Sequence, residues 1–529
     1  MSNNQNYDAI IFGGGHNGLT CGYYLGKAGL KVKILERRGI VGGAAITEEF
    51  HPGYRNSVAS YSVSLLNPKV IEDMSLARHG MVLKIRPTPY FQPHSDTSYL
   101  IIDRDPEITA EQIGKFSQKD AKAYPVFHER LEKVCEFLRG MLLKPPPNHG
   151  GGWRDLLAAA GAANHVRKTG NQTQKDIYDL FTMSAGDLLD QWFESNELKG
   201  ILGFDAVIGN YASPYTPGSA YVLLHHVFGE VNGVKGAWGY AMGGMGAITQ
   251  AMAKACEEVN VDIEVDAAVK EVIVNNGATV GVEMEDGTEL YAPKIISNLN
   301  PKLLYTKLIA SEHLSEDFNR RISGWVCASG TFRMNVALTE LPDFTCLPGK
   351  EVSKHHSSSI IICPTMKYLD DAYLDARCDG WAKKPAIEMH IPSVVDDSLA
   401  PPGHHVASLF CQQFAPEIPD GRSWDDCKEE VADLIIDTIN NYAPNFKQSI
   451  AGRMSLSPLD LERKIGLIGG DIFHGSLNLN QMYSARPALG YGDYRGPLKG
   501  LYMCGSGTHP GGGVTGIPGH NAAREILRD

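Results

Sequence analysis

Three glycines near the start of the chain have the spacing of a phosphate-binding loop. Gly13, Gly15 and Gly18 form a G-x-G-x-x-G pattern, and Glu36 follows them. In such loops the first glycine allows a tight turn, the second lets the backbone approach a pyrophosphate, and the third lets a helix pack closely on a strand. A carboxylate about 20 residues further on can accept hydrogen bonds from a ribose. This group of residues predicts a dinucleotide-binding site.

The elements around these glycines are those that such a site needs. Residues 8–12 form a short run typical of a buried parallel strand, and residues 32–35 form a second one that ends at Glu36. Between them, the residues up to Leu25 follow a helical pattern that Gly29 ends. A helix that begins at the glycine loop directs its free N–H groups at the phosphates. The order of strand, loop, helix and strand therefore strengthens the prediction.

A second pair of glycines distinguishes two classes of cofactor. Gly42 and Gly43 follow shortly after Glu36 and Arg38. A nicotinamide enzyme has no need of such a pair, whereas a flavin enzyme that buries its whole cofactor brings the backbone close to the pyrophosphate a second time. The pattern of acid, arginine and paired glycines resembles that of the FAD-binding amine oxidase and phytoene desaturase superfamily. Ala44 stands where that family usually has arginine, so no contact from that side chain is carried over.

The last part of the chain repeats the same order of elements. Residues 501–504 form a short apolar strand, a glycine-rich run follows, and a helical pattern comes after it. In the superfamily this segment contacts the flavin, and a separate valine contributes a backbone group to the adenine. The resemblance therefore implies cofactor contacts at Gly505, Ser506, Gly513, Val514 and Val269. Ser506 replaces an acid that is frequent in the family, so it would contact the ribityl or phosphate without adding negative charge.

The resemblance and the element pattern together predict an α/β fold. It should consist of a discontinuous, Rossmann-like FAD-binding domain and a substrate domain made of a mixed sheet and helices. The predicted FAD-binding segments are residues 1–75, 236–300 and 461–529, and the predicted substrate segments are residues 76–235 and 301–460. Within the first substrate segment, we expect the polar stretch 161–176 to be a mobile connection.

Composition excludes several classes of function. The 529 residues carry a formal net charge of -12 without a basic run that could neutralise a nucleic-acid backbone. The first residues lack the basic and apolar regions of a signal peptide, and no apolar run is long enough to span a bilayer. The ten cysteines are scattered without C-x-x-C spacing, which favours a reducing compartment, the cytoplasm or an organelle matrix. Peripheral membrane contact and the oligomeric state stay open at this point.

Further motifs place the resemblance within one branch of the superfamily. The run 504–514 and the segment 59–66 are similar to those of the pyridine nucleotide-disulphide oxidoreductase domain-containing proteins of type two. The sequence lacks the redox cysteine pair and second dinucleotide unit that a disulphide reductase needs. The resemblance implies an FAD-dependent oxidoreductase that dehydrogenates, saturates or isomerises a small hydrophobic, unsaturated substrate by hydride transfer with flavin N5. The alternatives are a flavin amine oxidase and a non-enzymatic lipid- or isoprenoid-binding protein on the same fold.

One histidine is a candidate for proton chemistry. His509 lies in the glycine-rich segment that the resemblance places against the flavin. It could polarise or reprotonate the substrate, or only hydrogen-bond the backbone of a tight turn, and both roles stay open. Three histidine doublets, at 225–226, 355–356 and 404–405, are less promising as metal ligands. Adjacent residues in a strand or helix point to different sides, so no metal site is predicted.

Overall fold

A five-stranded parallel sheet draws its strands from three separate parts of the chain. The computed structural model describes residues 7–148 and 151–529. In spatial order the strands are Asp262–Glu264, Val32–Leu35, Ala9–Phe12, Lys294–Ser297 and Leu501–Met503. A parallel sheet with helices in its crossover connections is the arrangement expected of an α/β, Rossmann-like domain, and it confirms the predicted fold class. The exact domain boundaries stay a prediction.

Side chains of strand Ala9–Phe12 alternate between two hydrophobic cores, one on each face of this sheet. Ile11 packs with Leu19 in one core, and Phe12 packs with Val282 in the other. The helices that pack in the first core are His16–Lys27, Gly246–Glu258 and Ile517–Ile526. The elements that pack in the second core are the strands Val269–Asn275, Ala278–Met284 and Glu289–Tyr291 and the helices Pro301–Leu303 and Glu316–Ser323. Because both faces are covered, these strands are apolar throughout rather than alternating.

The second large sheet has seven strands of mixed direction. In spatial order they are Ile450–Leu456, Phe332–Leu338, His405–Phe414, Trp381–His390, Ser359–Ile362, Tyr90–Ser95 and Ser98–Ile102. The pairing of Ser359–Ile362 with Tyr90–Ser95 is parallel, and the other pairings are antiparallel. Helix Trp424–Asn440 packs on one face and helix Met366–Asp379 on the other.

Helices make up most of residues 106–228. Their bounds are Pro106–Gly114, Gln118–Leu142, Trp153–Lys168, Asn171–Thr182, Ala185–Trp192, Asn196–Val207 and His225–Phe228. Two of these helices run through the polar stretch 161–176, whose mobility stays a prediction. Its glutamines and charged residues are good helix formers. In addition, Asp176 accepts a hydrogen bond of 3.0 Å from Nε of Arg130 on the long helix beside it.

Short elements join these layers. Two-stranded ladders pair Leu83–Ile85 with Gly239–Ala241, Thr47–His51 with Tyr54–Ser57, and Glu230–Val231 with Val234–Lys235, and two further helices are Pro68–Asp73 and Pro458–Ile465. In the part of the chain that the structure describes, no helix combines the length and apolar character needed to cross a bilayer. Residues 1–6, on which most of the signal-peptide prediction rests, lie outside the described residues.

Candidate functional site

The two predicted glycine loops lie against each other. The backbone N–H of Gly42 donates a hydrogen bond of 2.9 Å to the carbonyl of Gly14. A Cβ atom on Gly43 would approach Cα of Gly15 to 3.3 Å, and one on Gly18 would come within 2.3 Å of the carbonyl oxygen of Gly13. The positive φ angle of Gly42, 133°, is one that residues with side chains rarely adopt. The close contact of the loops therefore depends on the absence of side chains, and it presents bare backbone to the neighbouring cavity.

Glu36 is oriented by the first loop. Its side chain is buried, its Oε2 accepts the N–H of Gly14 at 2.8 Å, and its Oε1 accepts the N–H of Arg38 at 3.0 Å. An ionised carboxylate has two acceptor sites on each oxygen, so both oxygens keep capacity for a further hydrogen bond. This carboxylate is thus held in place and can still accept hydrogen bonds from a ribose.

A cavity of about 360 Å³ lies beside these residues. It brings together predicted residues from all three FAD-binding segments, namely Gly13, Gly15, Glu36, Arg38, Gly43, Val269 and Ser506. Three side chains of its wall also have buried polar atoms without a hydrogen-bond partner among the described residues: Oδ1 of Asn17, Nη1 of Arg38 and Nδ1 of His474. Bare backbone, a free ribose acceptor and unpaired polar atoms fit a dinucleotide such as FAD.

The remaining predicted contacts support this wall or line the next cavity. A Cβ atom on Gly505 would come within 2.7 Å of the carbonyl oxygen of Asn298, which lines the first cavity. Ser506 accepts a hydrogen bond of 3.1 Å from Nδ2 of Asn17. Gly513 and Val514 line an adjoining cavity, described below. The structure therefore brings the predicted cofactor contacts into one region, while their individual roles stay predictions.

A buried arginine, Arg486, lies behind Ser506. Arg486 is fully buried and donates hydrogen bonds to the carbonyls of Ser506 at 2.8 Å, Phe473 at 2.6 Å and Gln481 at 3.0 Å. Burial lowers its pKa to about 10, so the guanidinium stays charged at neutral pH. A buried positive charge next to the cavity favours negative charge on a bound group, because the local dielectric constant is low. Arg486 is best described as a positioning residue for the glycine-rich segment.

A second cavity of about 140 Å³, which we call the apolar cavity, adjoins the first. The two cavities share wall residues: His16, Ala44, Leu467, His474 and Ser506. The apolar cavity is lined mainly by hydrophobic side chains, among them Val63, Leu65, Ile208, Phe410, Phe473 and Val514. It is therefore the space where a substrate can meet the reactive part of a cofactor held in the first cavity.

Four histidines line the apolar cavity, and all of them are neutral at pH 7. Burial lowers the pKa of His16 and His225 to about 4 and that of His226 and His474 to about 3. His16 Nε2 is also 3.1 Å from the carbonyl of Gly513. From the sequence, His225 and His226 are candidates only for metal ligands, because a doublet gives no signal for two neighbouring positions on one cavity wall.

His509 is the predicted residue that the structure does not bring to this site. It lines neither the first cavity nor the apolar cavity. Its ring instead packs edge-on against Tyr483, with 5.4 Å between the ring centroids, and burial lowers its pKa to about 4. The glycine-rich motif places the backbone of this segment, but it does not determine where the imidazole points. A catalytic role for His509 stays an untested prediction.

The fold and the site define a class of protein: an oxidoreductase that binds a dinucleotide cofactor across a discontinuous Rossmann-like domain. The sequence of residues 18–331 matches the family of flavin containing amine oxidoreductases, and the chain belongs to this family. The protein is an FAD-dependent oxidoreductase, as predicted. When bound, FAD supplies hydride transfer at its N5 position.

Individual relatives agree with this assignment. Pyridine nucleotide-disulfide oxidoreductase domain-containing protein 2 from Rattus norvegicus is 40% identical over 99% of this chain and 94% of its own length. Phytoene desaturase (lycopene-forming) from Pantoea ananas is 23% identical over 96% of each chain. The solved structure of putrescine oxidase bound to putrescine is 14% identical, with a TM-score of 0.62 over 99% of each chain, and so has the same fold. The resemblance to the superfamily and to its type-two branch is confirmed.

Proposed function

We propose that the protein dehydrogenates, saturates or isomerises a hydrophobic, unsaturated substrate in the apolar cavity. The observation that carries this proposal is the wall that the apolar cavity shares with the first cavity, whose residues fit FAD. A hydrophobic group there is removed from water by side chains such as Val63, Phe410 and Val514, which favours its binding by about 25 cal/mol for each Å² of apolar surface that is buried. The similarity to phytoene desaturase supports the same substrate class.

The charges around the apolar cavity favour an uncharged reacting group over an amine. Within residues 7–148 and 151–529, its lining includes no Asp, Glu, Lys or Arg. Its four histidines are neutral because burial lowers their pKa. An ammonium group in this cavity would therefore be desolvated without a compensating charge, which is costly. A flavin amine oxidase remains the alternative proposal, since the fold is also that of putrescine oxidase.

Reduction of the bound flavin by a panel of compounds tests the proposal directly. The holoenzyme would be mixed under anaerobic conditions with polyenes, unsaturated terpenes and unsaturated lipids on one side and with primary amines on the other. We expect loss of the oxidised flavin absorbance with at least one apolar, unsaturated compound and none with the amines. Reduction by amines alone, with hydrogen peroxide released on exposure to air, would establish the alternative.

A matched pair of variants tests the cavity itself. Leu65 lines the apolar cavity, whereas Leu374 is 47% exposed on helix Met366–Asp379. Leu65→Asn replaces the two terminal methyl groups with an amide of similar shape, and we expect the rate of flavin reduction by the active compound to fall roughly tenfold, because of lost apolar burial. FAD content should not change. Leu374→Asn should keep the parent rate, and equal rates in the two variants would argue against the cavity as the reaction site.

A further inference from the structure

A third cavity, of about 420 Å³, adjoins the apolar cavity. We call it the arginine chamber; the side chains that matter here are Arg86, Tyr90, Arg104 and Asp205. It shares His226 and Trp238 with the apolar cavity, so the two spaces meet at these side chains. Arg104 and Pro125 in its wall are exposed to solvent, whereas Arg86 and Asp205 are buried. The chamber therefore lies between the protein surface and the apolar cavity, and the stacked rings of His226 and Trp238 separate the two spaces.

Arg86 lacks enough hydrogen-bond partners for a buried guanidinium. Its Nε has no partner among the described residues, and its Nη1 is 3.2 Å from Nε2 of His390. The same Nε2 is 2.9 Å from Oε1 of Glu388. Burial lowers the pKa of His390, so its ring is neutral at pH 7. A neutral ring nitrogen either donates or accepts, so Nε2 serves Glu388 or Arg86 but not both. Buried donors without a partner are uncommon and point to a missing ligand.

The buried carboxylates near Arg86 do not pair with it directly. Arg333 is also buried, and in the described part of the chain neither arginine forms a direct ion pair with a carboxylate. Against the effect of burial, the contact with His390 and the charge of Arg86 hold the pKa of Glu388 well below its usual range. Burial raises the pKa of Asp205 well above its usual range, and its Oδ2 accepts a hydrogen bond of 2.8 Å from the hydroxyl of Tyr90. Among the described residues Arg86 thus has no carboxylate as a direct partner, so its guanidinium can pair with an anion from outside the protein.

From this geometry we infer that the substrate is amphipathic, with an anionic end group that Arg86 binds in the arginine chamber. The end group is a carboxylate or a phosphate, since the planar guanidinium fork matches the oxygens of either. The hydrophobic part of the same molecule would extend past His226 and Trp238 into the apolar cavity. This last step rests on the proposed function, whereas binding of the anionic group at Arg86 does not.

Binding of matched oleyl compounds to the oxidised holoenzyme tests the inference without turnover. Oleate, oleyl phosphate, methyl oleate and oleyl alcohol share one hydrocarbon chain and differ in the end group. Their dissociation constants would be measured by calorimetry. We expect at least one of the two anions to bind about tenfold or more tightly than both neutral compounds. The tighter anion identifies the end group. Equal binding of the anions and the neutral compounds would overturn the inference.

Variants of Arg86 then locate the preference. In Arg86→Gln we expect the anions and the neutral compounds to bind within about twofold of each other. Arg86→Lys keeps the charge, so we expect it to keep part of the anion preference. Arg55→Gln, at an exposed arginine of the hairpin strand Tyr54–Ser57, should match the parent. An unchanged preference in Arg86→Gln would overturn the inference. If that variant loses FAD, the comparison of oleyl compounds on the parent enzyme still decides.

The two proposals fail in different ways. Loss of the anion preference would leave flavin reduction by apolar, unsaturated compounds unaffected. Failure of every such compound to reduce the flavin would leave the binding preference at Arg86 standing.

Discussion

The backbone N–H of Gly14 donates a hydrogen bond of 2.8 Å to Oε2 of Glu36, across the end of two neighbouring parallel strands. This bond joins the predicted phosphate-binding loop to the predicted ribose-binding carboxylate. Glu36 is therefore oriented by the protein itself, so no side-chain freedom has to be lost there when the cofactor binds.

Loss of this carboxylate should weaken FAD binding strongly. In Glu36→Ala we expect the dissociation constant for FAD to rise roughly thirtyfold, or by about 2 kcal/mol, because hydrogen bonds to a charged acceptor are lost. Titration of the apoprotein with FAD, followed by flavin fluorescence, measures this change. Glu257→Ala, at an exposed position of helix Gly246–Glu258, should bind FAD like the parent. Unchanged flavin occupancy of Glu36→Ala at high dilution would contradict the assignment of the site.

Gly18 should not tolerate even one methyl group. Its Cβ atom would lie 2.3 Å from the carbonyl oxygen of Gly13, a backbone atom that cannot move without opening the loop. We expect Gly18→Ala to lose more than about 2 kcal/mol of stability and most of its FAD, because strain and lost loop geometry add. Gly161→Ala is the control, since nothing lies within 4 Å of that Cβ and the helix gains propensity. Equal melting temperatures for the two variants would contradict this.

Arg486 should be essential for the stability of the glycine-rich segment. Arg486→Met leaves the carbonyls of Phe473, Gln481 and Ser506 without their donor. We expect a loss of about 3–5 kcal/mol in the free energy of unfolding, which is typical for breaking a buried charged network. Denaturant titration measures it. Arg55→Met, at an exposed arginine, should cost less than about 0.5 kcal/mol. A loss of that small size at Arg486 would show that the network is not stabilising.

Acid should destabilise the protein through its buried histidines. Burial, with the charges of Arg486 and His16, lowers the pKa of His474 from 6.5 to about 3. A lowered folded-state pKa contributes stability that is present above pH 6.5 and lost as the pH falls towards 3. His474→Asn, acceptable at its φ angle of 58°, should reduce the loss between pH 7 and pH 4 by about 3 kcal/mol.

The measurement for this prediction is the free energy of unfolding of the apoprotein at several pH values. Burial raises the pKa of Asp471 to about 6, so protonation of this residue stabilises the folded protein as the pH falls. The pH dependence of the variant is therefore compared with that of the parent. His313→Asn, at an exposed histidine, is the control. A pH dependence that is identical in His474→Asn and the parent would show that His474 does not contribute.

Much of the cofactor half of the site was predictable, because its signals are local. The strands around Gly13 and Glu36 are short apolar runs, and each predicted glycine turn depends on neighbours within a few positions. Strand Lys294–Ser297 was predictable from the sequence for the same reason, although its position beside Ala9–Phe12 is known only from the structure. Local patterns indicate which elements form but leave their order in the sheet to long-range packing.

The substrate half was not predictable, because its contacts join distant parts of the chain. Arg86, which lines the arginine chamber, contacts His390 from a distant part of the chain, and no spacing rule relates them. Glu388 gives no sequence signal either, since an acid in an apolar strand is usually a solvent-facing residue. His509 shows the opposite limitation. The glycine-rich motif around His509 predicts that this segment contacts the flavin, but a backbone motif does not determine where the imidazole points.

The strand order of the parallel sheet has a consequence for biosynthesis. Lys294–Ser297 pairs with Ala9–Phe12 on one side and with Leu501–Met503 on the other. During translation, the edge of Lys294–Ser297 that later pairs with Leu501–Met503 has no partner strand until roughly 200 further residues have been synthesised. This takes about 10–40 seconds. Exposed strand edges invite aggregation. We therefore expect the nascent polypeptide to aggregate most readily over this interval, and production at low temperature to raise the yield of holoprotein more than added FAD does.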